Sequence, residues 1–102
     1  MKDKDLIATA EEFRAGMLGA ESSEFMCRAV CLPLAGFFAF QGVDLDVIEC
    51  DVDCGDYGVY HTCLRLPDKR ILDPTADQFP LGLPRVYLGP LPQQYEFMRV
   101  LE

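Results

Sequence analysis

The order of apolar and polar residues near the start of the chain has the period of a helix. In DLIATAEEFRAGML, residues 5–18, apolar side chains recur at intervals of three and four residues. Such a stripe is typical of an amphipathic helix that packs one face on a core. The residues of the stripe are Leu6, Ile7, Ala10, Phe13, Met17 and Leu18. We expect Asp3 or Asp5 to cap this helix and Gly19 to end it.

A second segment, EFMCRAVCLPLAGFFAFQG, is almost entirely apolar, which is the pattern of a buried helix. Ser22 and Ser23 precede it, and Gly42 closes it. Pro33 interrupts the pattern because proline lacks a backbone N–H and crowds the preceding turn. We therefore expect either a kink at Pro33 or a helix whose regular part begins nearer Ala29.

After the second helix, β-branched and aromatic residues alternate loosely with polar ones, as they do in strands. The pattern predicts three antiparallel strands at about 44–53, 57–66 and 70–73, with turns at CGDYG and PDK. Val47 and Ile48 are both apolar, which breaks the alternation and predicts a bulge or a strand buried on both faces. The order of helix, buried helix and antiparallel meander predicts an α+β fold.

The last quarter of the chain is rich in proline and glycine. FPLGLPRVYLGPLP predicts an extended loop around a short strand at about 85–88. Tyr87 and Leu88 have the character of an edge strand, where an extended peptide can add. Pro92 suits the first turn of a last short helix. The apolar residues that would line this helix are Tyr95, Met98 and Leu101.

Length and charge narrow the possible functions. The 102 residues suffice for one domain, 1–102, with a single core. A net charge of -8, from 17 acidic and 9 basic residues, argues against nucleic acid or a membrane as a partner. Nucleic acid and anionic membranes both need clustered Lys and Arg. Cationic partners fit this charge balance.

Hydropathy and cysteine usage indicate a compartment. The charged residues in MKDKDLIATAEEF lead us to expect no secretory signal there. No apolar run approaches the roughly 20 residues that a membrane span needs. Five cysteines without such a signal predict reduced thiols in the cytoplasm rather than a disulfide framework.

The only histidine, His61, stands ahead of Asp73 in HTCLRLPDKRILDPT. Antiparallel neighbours joined by a short turn place such residues side by side, so Asp73 can accept from one ring nitrogen and fix the tautomer. A thiol is mostly protonated near neutral pH, so a nucleophilic cysteine needs a helix N-terminus or an imidazolium beside it. Cys27 follows the serines that can cap the buried helix, near the positive end of its dipole. The pattern predicts a catalytic triad of Cys27, His61 and Asp73 that needs no cofactor.

The order of CRAVCLPLAGFFAFQGVDLDVIE and HTCLRLPDKRILDPT resembles the core of the transglutaminase-like and papain-like cysteine enzymes, over about residues 22–79. The resemblance implies a minimal core of that superfamily, in which a buried helix packs on a small antiparallel sheet. It also implies that Cys27 is the nucleophile, His61 the general base and Asp73 the orienting carboxylate. Gly42 then takes the place of the glycine that ends the helix.

The resemblance implies a cysteine hydrolase or acyl-transferase that forms a thioester with peptide or glutamine side-chain amides. Peptidase or deamidase activity ranks above crosslinking, and the acidic charge fits a basic peptide or protein substrate. Two features depart from the superfamily: the chain has no Trp, and Glu21 stands where papain-like peptidases have Gln. The expected oxyanion or substrate contacts, beside the backbone N–H of Cys27, are Ser22, Ser23, Tyr60 and Gln78. The alternative is a catalytically impaired module of the same fold that binds a peptide.

Two further alternatives use some of the same residues differently. Cys31 becomes the nucleophile if the buried helix begins late, because it then occupies the helix N-terminus. Alternatively, the pattern C-x3-C-x6-H-x-C supplies four soft ligands for a zinc-stabilised domain. These ligands are Cys50, Cys54, His61 and Cys63. The triad and the zinc site compete for the same imidazole.

Overall fold

The computed structural model describes residues 2–18 and 27–101. The first helix, α1, spans Asp3–Leu18, as the apolar stripe predicted. Leu6 and Ala10 are buried and join the core that lies under both helices. Burial of this stripe, rather than helix propensity alone, is what stabilises a helix of this length.

The two candidate capping residues of α1 make different contacts. Asp5 accepts a hydrogen bond from the backbone N–H of Lys2 at 3.3 Å, which is one half of a capping box. Asp3 instead forms an ion pair with Arg70, with N···O distances of 2.7 and 3.1 Å. Asp5 therefore supplies a capping contact from within the first turn, and Asp3 ties the helix to the turn before β3. Gly19, the predicted end of the helix, lies outside the described residues.

The second helix, α2, spans Cys27–Phe40 and continues through Pro33. Its regular structure already includes Cys27, so the alternative start nearer Ala29 is wrong. Gly42 follows the helix with φ of 81°, a conformation that glycine adopts without the steric cost of a Cβ atom. The buried side of α2 is formed by Val30, Cys31, Leu34 and Phe38.

A five-stranded antiparallel sheet completes the α+β fold, and the two helices pack on it. The strands are β1 (Asp46–Asp53), β2 (Gly58–Arg65), β3 (Ile71–Asp73), β4 (Tyr87–Gly89) and β5 (Tyr95–Val100). Their order across the sheet is β4-β3-β2-β1-β5. The three strands of the predicted meander are confirmed. The short strand with Tyr87 and Leu88 is confirmed as an edge strand.

The C-terminal segment is a strand, so the prediction of a short helix from Pro92 is wrong. β5 pairs with β1 in antiparallel register, which satisfies backbone groups along the edge of β1. The spacing of Tyr95, Met98 and Leu101 had suggested a helix, but aromatic and β-branched residues in YEFMRV also suit a strand. Tyr95 is buried beneath the sheet. Tertiary pairing outweighs a weak local signal here.

β1 is buried on both faces. Val47 belongs to the core under the helices, and Ile48 belongs to a second core on the opposite face. The second interpretation of this apolar pair is therefore confirmed. The irregularity in pairing lies elsewhere, between β1 and β5, where the register shifts at Glu49 and Cys50 and leaves Met98 as the extra residue.

The second core also holds the candidate site. Three rings meet edge to face in it, those of His61, Phe79 and Tyr95, with centroids 4.7 to 6.2 Å apart. This geometry is favourable for aromatic groups and fixes the plane of the imidazole. The segment after β3, which supplies Phe79, therefore covers the side of the sheet on which the histidine lies.

Candidate active site

His61 on β2 and Asp73 at the end of β3 form the buried part of the site. The ring nitrogen Nε2 lies 2.6 Å from Oδ2 of Asp73, and both side chains are fully buried. β2 and β3 are adjacent antiparallel strands joined by a short turn, as the sequence predicted. A contact of this length fixes the ring orientation and places a proton on Nε2.

Asp73 is held by four donors. Besides His61, the hydroxyl of Tyr95 donates to Oδ2 at 2.7 Å. The backbone N–H of Thr75 donates to Oδ1 at 3.1 Å, and its hydroxyl approaches the same oxygen at 3.4 Å. A carboxylate has only acceptors, so a buried one is tolerated when donors surround both oxygens. The carboxylate therefore has one fixed position from which to orient the histidine.

The environment of His61 favours its protonated form. Burial lowers the pKa of the imidazole, but the charge and hydrogen bond of Asp73, together with Cys27, raise that pKa to about 9. An ordinary histidine titrates near 6.5. A nearby carboxylate is thus the main cause that opposes desolvation.

Cys27, the first described residue of α2, lies next to this histidine. Burial raises the pKa of its thiol, but hydrogen bonding with His61, a backbone hydrogen bond at Thr62 and the charge of His61 outweigh that effect. A further backbone hydrogen bond comes from Arg28, and the net pKa of the thiol is lowered. The side chain is only partly buried. A thiol with a lowered pKa that reagents can reach is the kind that acts as a nucleophile.

Cys31, the alternative nucleophile, has the opposite environment. It is fully buried in the core under the helices, and its thiol donates to the carbonyl oxygen of Thr62 at 3.4 Å. Burial and the nearby charge of Asp73 raise the pKa of this thiol well above its usual value. Cys31 is therefore a packing residue rather than an accessible nucleophile.

Two of the predicted oxyanion contacts, Gln78 and Tyr60, lie within the described residues, and they lie in different places. Gln78 reaches the site, and its Nε2 lies 3.0 Å from Nδ1 of His61. Tyr60 is 66% exposed and lines a cavity of about 170 Å³ with Asp51 and Gly58. Ser22 and Ser23 lie outside the described residues, 2–18 and 27–101. Gln78 is thus the candidate that the fold brings onto the triad.

One ion pair holds the segment that carries Gln78. Arg14 of α1 binds both carboxylate oxygens of Asp77 at 2.7 and 2.8 Å. The same guanidinium donates to the backbone carbonyls of Pro74 and Arg85 at 3.1 and 3.3 Å. A bidentate arginine contact fixes both distance and orientation. The segment after Asp73 is therefore anchored to the first helix.

Sequence reasoning missed three residues that support the triad: Arg14, Thr75 and Tyr95. Asp73 in DPT is a signal for an Asx turn, in which the aspartate accepts a hydrogen bond from the backbone N–H two residues on, that of Thr75. The spacing of Tyr95 with Met98 and Leu101 fits a helix, so it gives no indication that Tyr95 contacts the site. Arg14 lies 60 or more residues from its partners and left no local signal.

The four residues of the zinc alternative do not come together as a ligand set. Among residues 2–18 and 27–101, no three His, Cys, Asp or Glu side chains form a group that could hold a metal ion. Cys50 and Cys63 hydrogen-bond to each other. Cys54 instead contacts the carbonyl of Val52 at 3.9 Å. With both nitrogens of His61 in contact with protein groups, this arrangement does not fit a zinc site.

Comparison with known proteins does not indicate a function, so the function is inferred from the geometry of the site. No protein-family model matches the chain, and neither a curated protein nor a solved structure gives a significant match. In the part of the chain that the structure describes, neither helix combines the length and the apolar character needed to cross a bilayer.

Proposed function

We propose that the protein is a cysteine hydrolase or acyl-transferase of the transglutaminase-like type. It acts on peptide or glutamine side-chain amides through a thioester. The observation that carries the proposal is the meeting of a carboxylate from β3 and a thiol from α2 on one buried imidazole. Such a chain of thiol, imidazole and carboxylate is recognised by geometry and roles rather than by sequence position.

The residues divide the chemistry as follows. His61 takes the proton of Cys27, and the thiolate attacks the carbonyl carbon of the amide. The carbonyl oxygen becomes an oxyanion, which backbone N–H groups at the start of α2 are suited to receive. His61 returns the proton to the leaving amine as the C–N bond breaks, which leaves a thioester on Cys27. Throughout, Asp73 keeps the imidazole in one tautomer.

The thioester can pass to water or to an amine. Transfer to water gives peptidase or deamidase activity, and we rank this above crosslinking. The net charge of -8 supports a basic peptide or protein as the substrate. Reduced thiols are required for the chemistry, which agrees with the expected cytoplasmic location.

The test is to treat the native protein with limiting iodoacetamide near pH 7 and to map the alkylated cysteine by mass spectrometry. We expect Cys27 to be labelled first. In His61→Ala the labelling of Cys27 should slow by about tenfold or more, because the thiol loses the imidazolium that lowers its pKa. Unfolding in urea is the control, since all five cysteines should then react at similar rates.

Equal labelling of several cysteines in the folded protein would contradict the proposal. That outcome would favour the impaired peptide-binding module instead. A thiol that is labelled selectively but independently of His61 would also contradict it, because the histidine would then have no role in activation.

A further inference from the structure

The amide of Gln78 makes a contact that the proposed mechanism does not use. Its Nε2 atom lies 3.0 Å from Nδ1 of His61, and also 3.2 Å from the carbonyl oxygen and 3.1 Å from the hydroxyl of Thr75. The Thr75 carbonyl can only accept, so the atom facing it is the amide nitrogen and not the amide oxygen. One N–H thus serves Thr75, and the other is available for the ring.

Nδ1 of His61 must therefore be an acceptor in this arrangement. Nε2 carries the proton that is shared with Asp73, so a neutral ring has its lone pair on Nδ1. A protonated ring would turn an N–H at Nδ1 toward the N–H of Gln78, which is unfavourable. The contact with Gln78 therefore fits the neutral imidazole, and it opposes the protonated form that Asp73 and Cys27 favour.

The same nitrogen is the one that Cys27 needs. Because Asp73 occupies Nε2, the thiol can give its proton only to Nδ1. Gln78 and Cys27 therefore compete for one lone pair. The amide is also tethered, since Thr75 holds it and in turn donates its hydroxyl to Asp73. His61, Asp73, Thr75 and Gln78 form a closed ring of hydrogen bonds around the imidazole.

We propose that Gln78 is a positioning residue that donates to Nδ1 of His61 in the resting site and must leave this nitrogen before the Cys27 proton can be taken. When it leaves, the S–H bond of Cys27 breaks and an N–H bond forms at Nδ1, while the Nε2 proton stays on the ring in its hydrogen bond to Asp73. The inference rests on the proposed function, since it assigns Cys27 as the proton donor. It makes the exit of Gln78 a condition for thiolate formation.

Other groups that face His61 do not reproduce this effect. Asp73 and Cys27 both favour the protonated ring. Cys50 on β1 interacts with the charge of the histidine, and Tyr95 on β5 packs on its ring and bonds to Asp73. Gln78 differs because its short contact stabilises the neutral ring at the nitrogen that the thiol uses. Removal of Gln78 should therefore change the proton balance in a direction that loss of packing would not.

The test uses the fact that His61 is the only histidine, so its NMR titration is unambiguous. In a Cys27→Ala background, which removes the competing thiol, the ring is titrated by nitrogen-15 NMR with Gln78 present and with Gln78→Met. We expect the pKa of His61 to rise by about one pH unit in Gln78→Met, because the donor that stabilises the neutral ring is lost. Gln93→Met, in the loop before β5, is the matched control and should leave the titration unchanged.

An unchanged or lowered pKa in Gln78→Met would overturn the inference. A lowered value is what a merely structural role predicts, because a loosened loop would weaken the contact between Asp73 and His61. If Gln78→Met does not fold, the side-chain N–H signals of Gln78 in the Cys27→Ala protein give the answer. They should shift with the same midpoint as the ring, and signals that do not move would equally overturn the inference.

With Cys27 intact, iodoacetamide supplies a second readout. In Gln78→Met the alkylation of Cys27 near pH 7 should become about threefold to tenfold faster, because the free Nδ1 favours the thiolate and imidazolium pair. In Gln78→Glu it should become slower, because the carboxylate accepts the hydrogen bond of a protonated Nδ1 in place of the thiolate and adds negative charge beside the sulfur. Lack of preference for Cys27 in the native protein would overturn the proposed function. Selective labelling with an unmoved His61 titration would overturn only this inference.

Discussion

Two successive turns of α2 carry cysteines with opposite properties. Cys27 is partly buried, interacts with His61 and has a lowered pKa. Cys31, four residues later, is fully buried, is near the charge of Asp73 and has a strongly raised pKa. Both sulfur atoms make hydrogen bonds with the backbone of Thr62. Position along the helix therefore decides which thiol is poised for reaction, because only the first turn reaches both the imidazole and the surface.

The largest expected effect distinguishes Cys27 in the first turn from Cys31 in the second by their reaction with iodoacetamide. Cys27→Ala should abolish the fast, selective alkylation near pH 7, whereas Cys31→Ala should keep it. Cys31→Ala should instead lower the free energy of unfolding by about 1 to 2 kcal/mol, since it removes a buried sulfur. Mass spectrometry of iodoacetamide adducts and urea denaturation measure the two quantities. Fast labelling that survives in Cys27→Ala and disappears in Cys31→Ala would reverse the comparison.

The next largest effect tests whether the carboxylate of Asp73 activates the thiol of Cys27 through His61. Asp73→Asn removes the charge that raises the pKa of His61, so the ring should titrate nearer its ordinary value. We expect alkylation of Cys27 near pH 7 to slow by about tenfold to 100-fold, since each pKa unit is a factor of ten in population. Asp53→Asn, on the exposed end of β1, is the matched control. Equal rates of Cys27 alkylation in Asp73→Asn and in the native protein would show that Asp73 does not contribute to the activation of the thiol.

The pH dependence of stability tests the opposite pKa shifts of His61 and Cys27. The pKa of His61 is raised from 6.5 to about 9, so its contribution to stability is complete below pH 6.5 and is lost as the pH rises through 9. The pKa of Cys27 is lowered, so its contribution is present above its unfolded pKa of 9 and is lost as the pH falls. Between pH 6.5 and about 9, a rise in pH lowers the contribution of His61 to the free energy of unfolding and raises that of Cys27, so the two changes oppose each other in the native protein.

Removal of the thiol should expose the histidine contribution alone. From pH 7 to 9 we expect the free energy of unfolding of Cys27→Ala to fall relative to the native protein, by roughly 1 kcal/mol. Urea denaturation at several pH values measures this difference. His61→Ala is the control, because in that background the fall on removal of the thiol should be absent. A difference that shrinks as the pH rises would contradict the assigned pKa directions.

The smallest expected effect on the alkylation of Cys27 concerns Tyr95. Tyr95→Phe removes one of the donors to the buried carboxylate of Asp73, so the free energy of unfolding should fall by about 1 to 2 kcal/mol. Alkylation of Cys27 should change by only about threefold or less, because His61 and Thr75 still hold the carboxylate. Tyr87→Phe, which loses a surface hydrogen bond to the carbonyl of Pro90, is the matched control for stability. If Tyr95→Phe slowed the alkylation of Cys27 as much as Asp73→Asn does, this prediction would be wrong, because the Tyr95 hydroxyl would then be essential for holding Asp73.

The sequence predicted the parts of the site that lie close together along the chain or follow a strong period. Helix α2, the strand pair and the contact of His61 with Asp73 are of this kind, because a short turn between antiparallel strands leaves few other arrangements. Tyr95 could not be found in the same way. Its spacing with Met98 and Leu101 fits a helix, and only pairing with β1 determines that the segment is a strand.

The sequence also could not predict which nitrogen of His61 carries a proton and which one accepts a hydrogen bond. Gln78 was a candidate oxyanion donor, but which atom its amide faces depends on Thr75 and on the anchored segment after Asp73. Side-chain hydrogen bonds across distant elements have no period and no fixed spacing. They follow from the tertiary packing of α1, the sheet and this segment together.

The guanidinium of Arg14 connects the first helix to the candidate active site. It joins α1 to Asp77, which adjoins Gln78, and to the carbonyls of Pro74 and Arg85. We therefore expect an amino-acid change that shifts α1 to displace the segment that carries Gln78, the residue in contact with the imidazole. The first helix thus helps to position the candidate site from a distance, although it supplies none of the residues Cys27, His61 and Asp73.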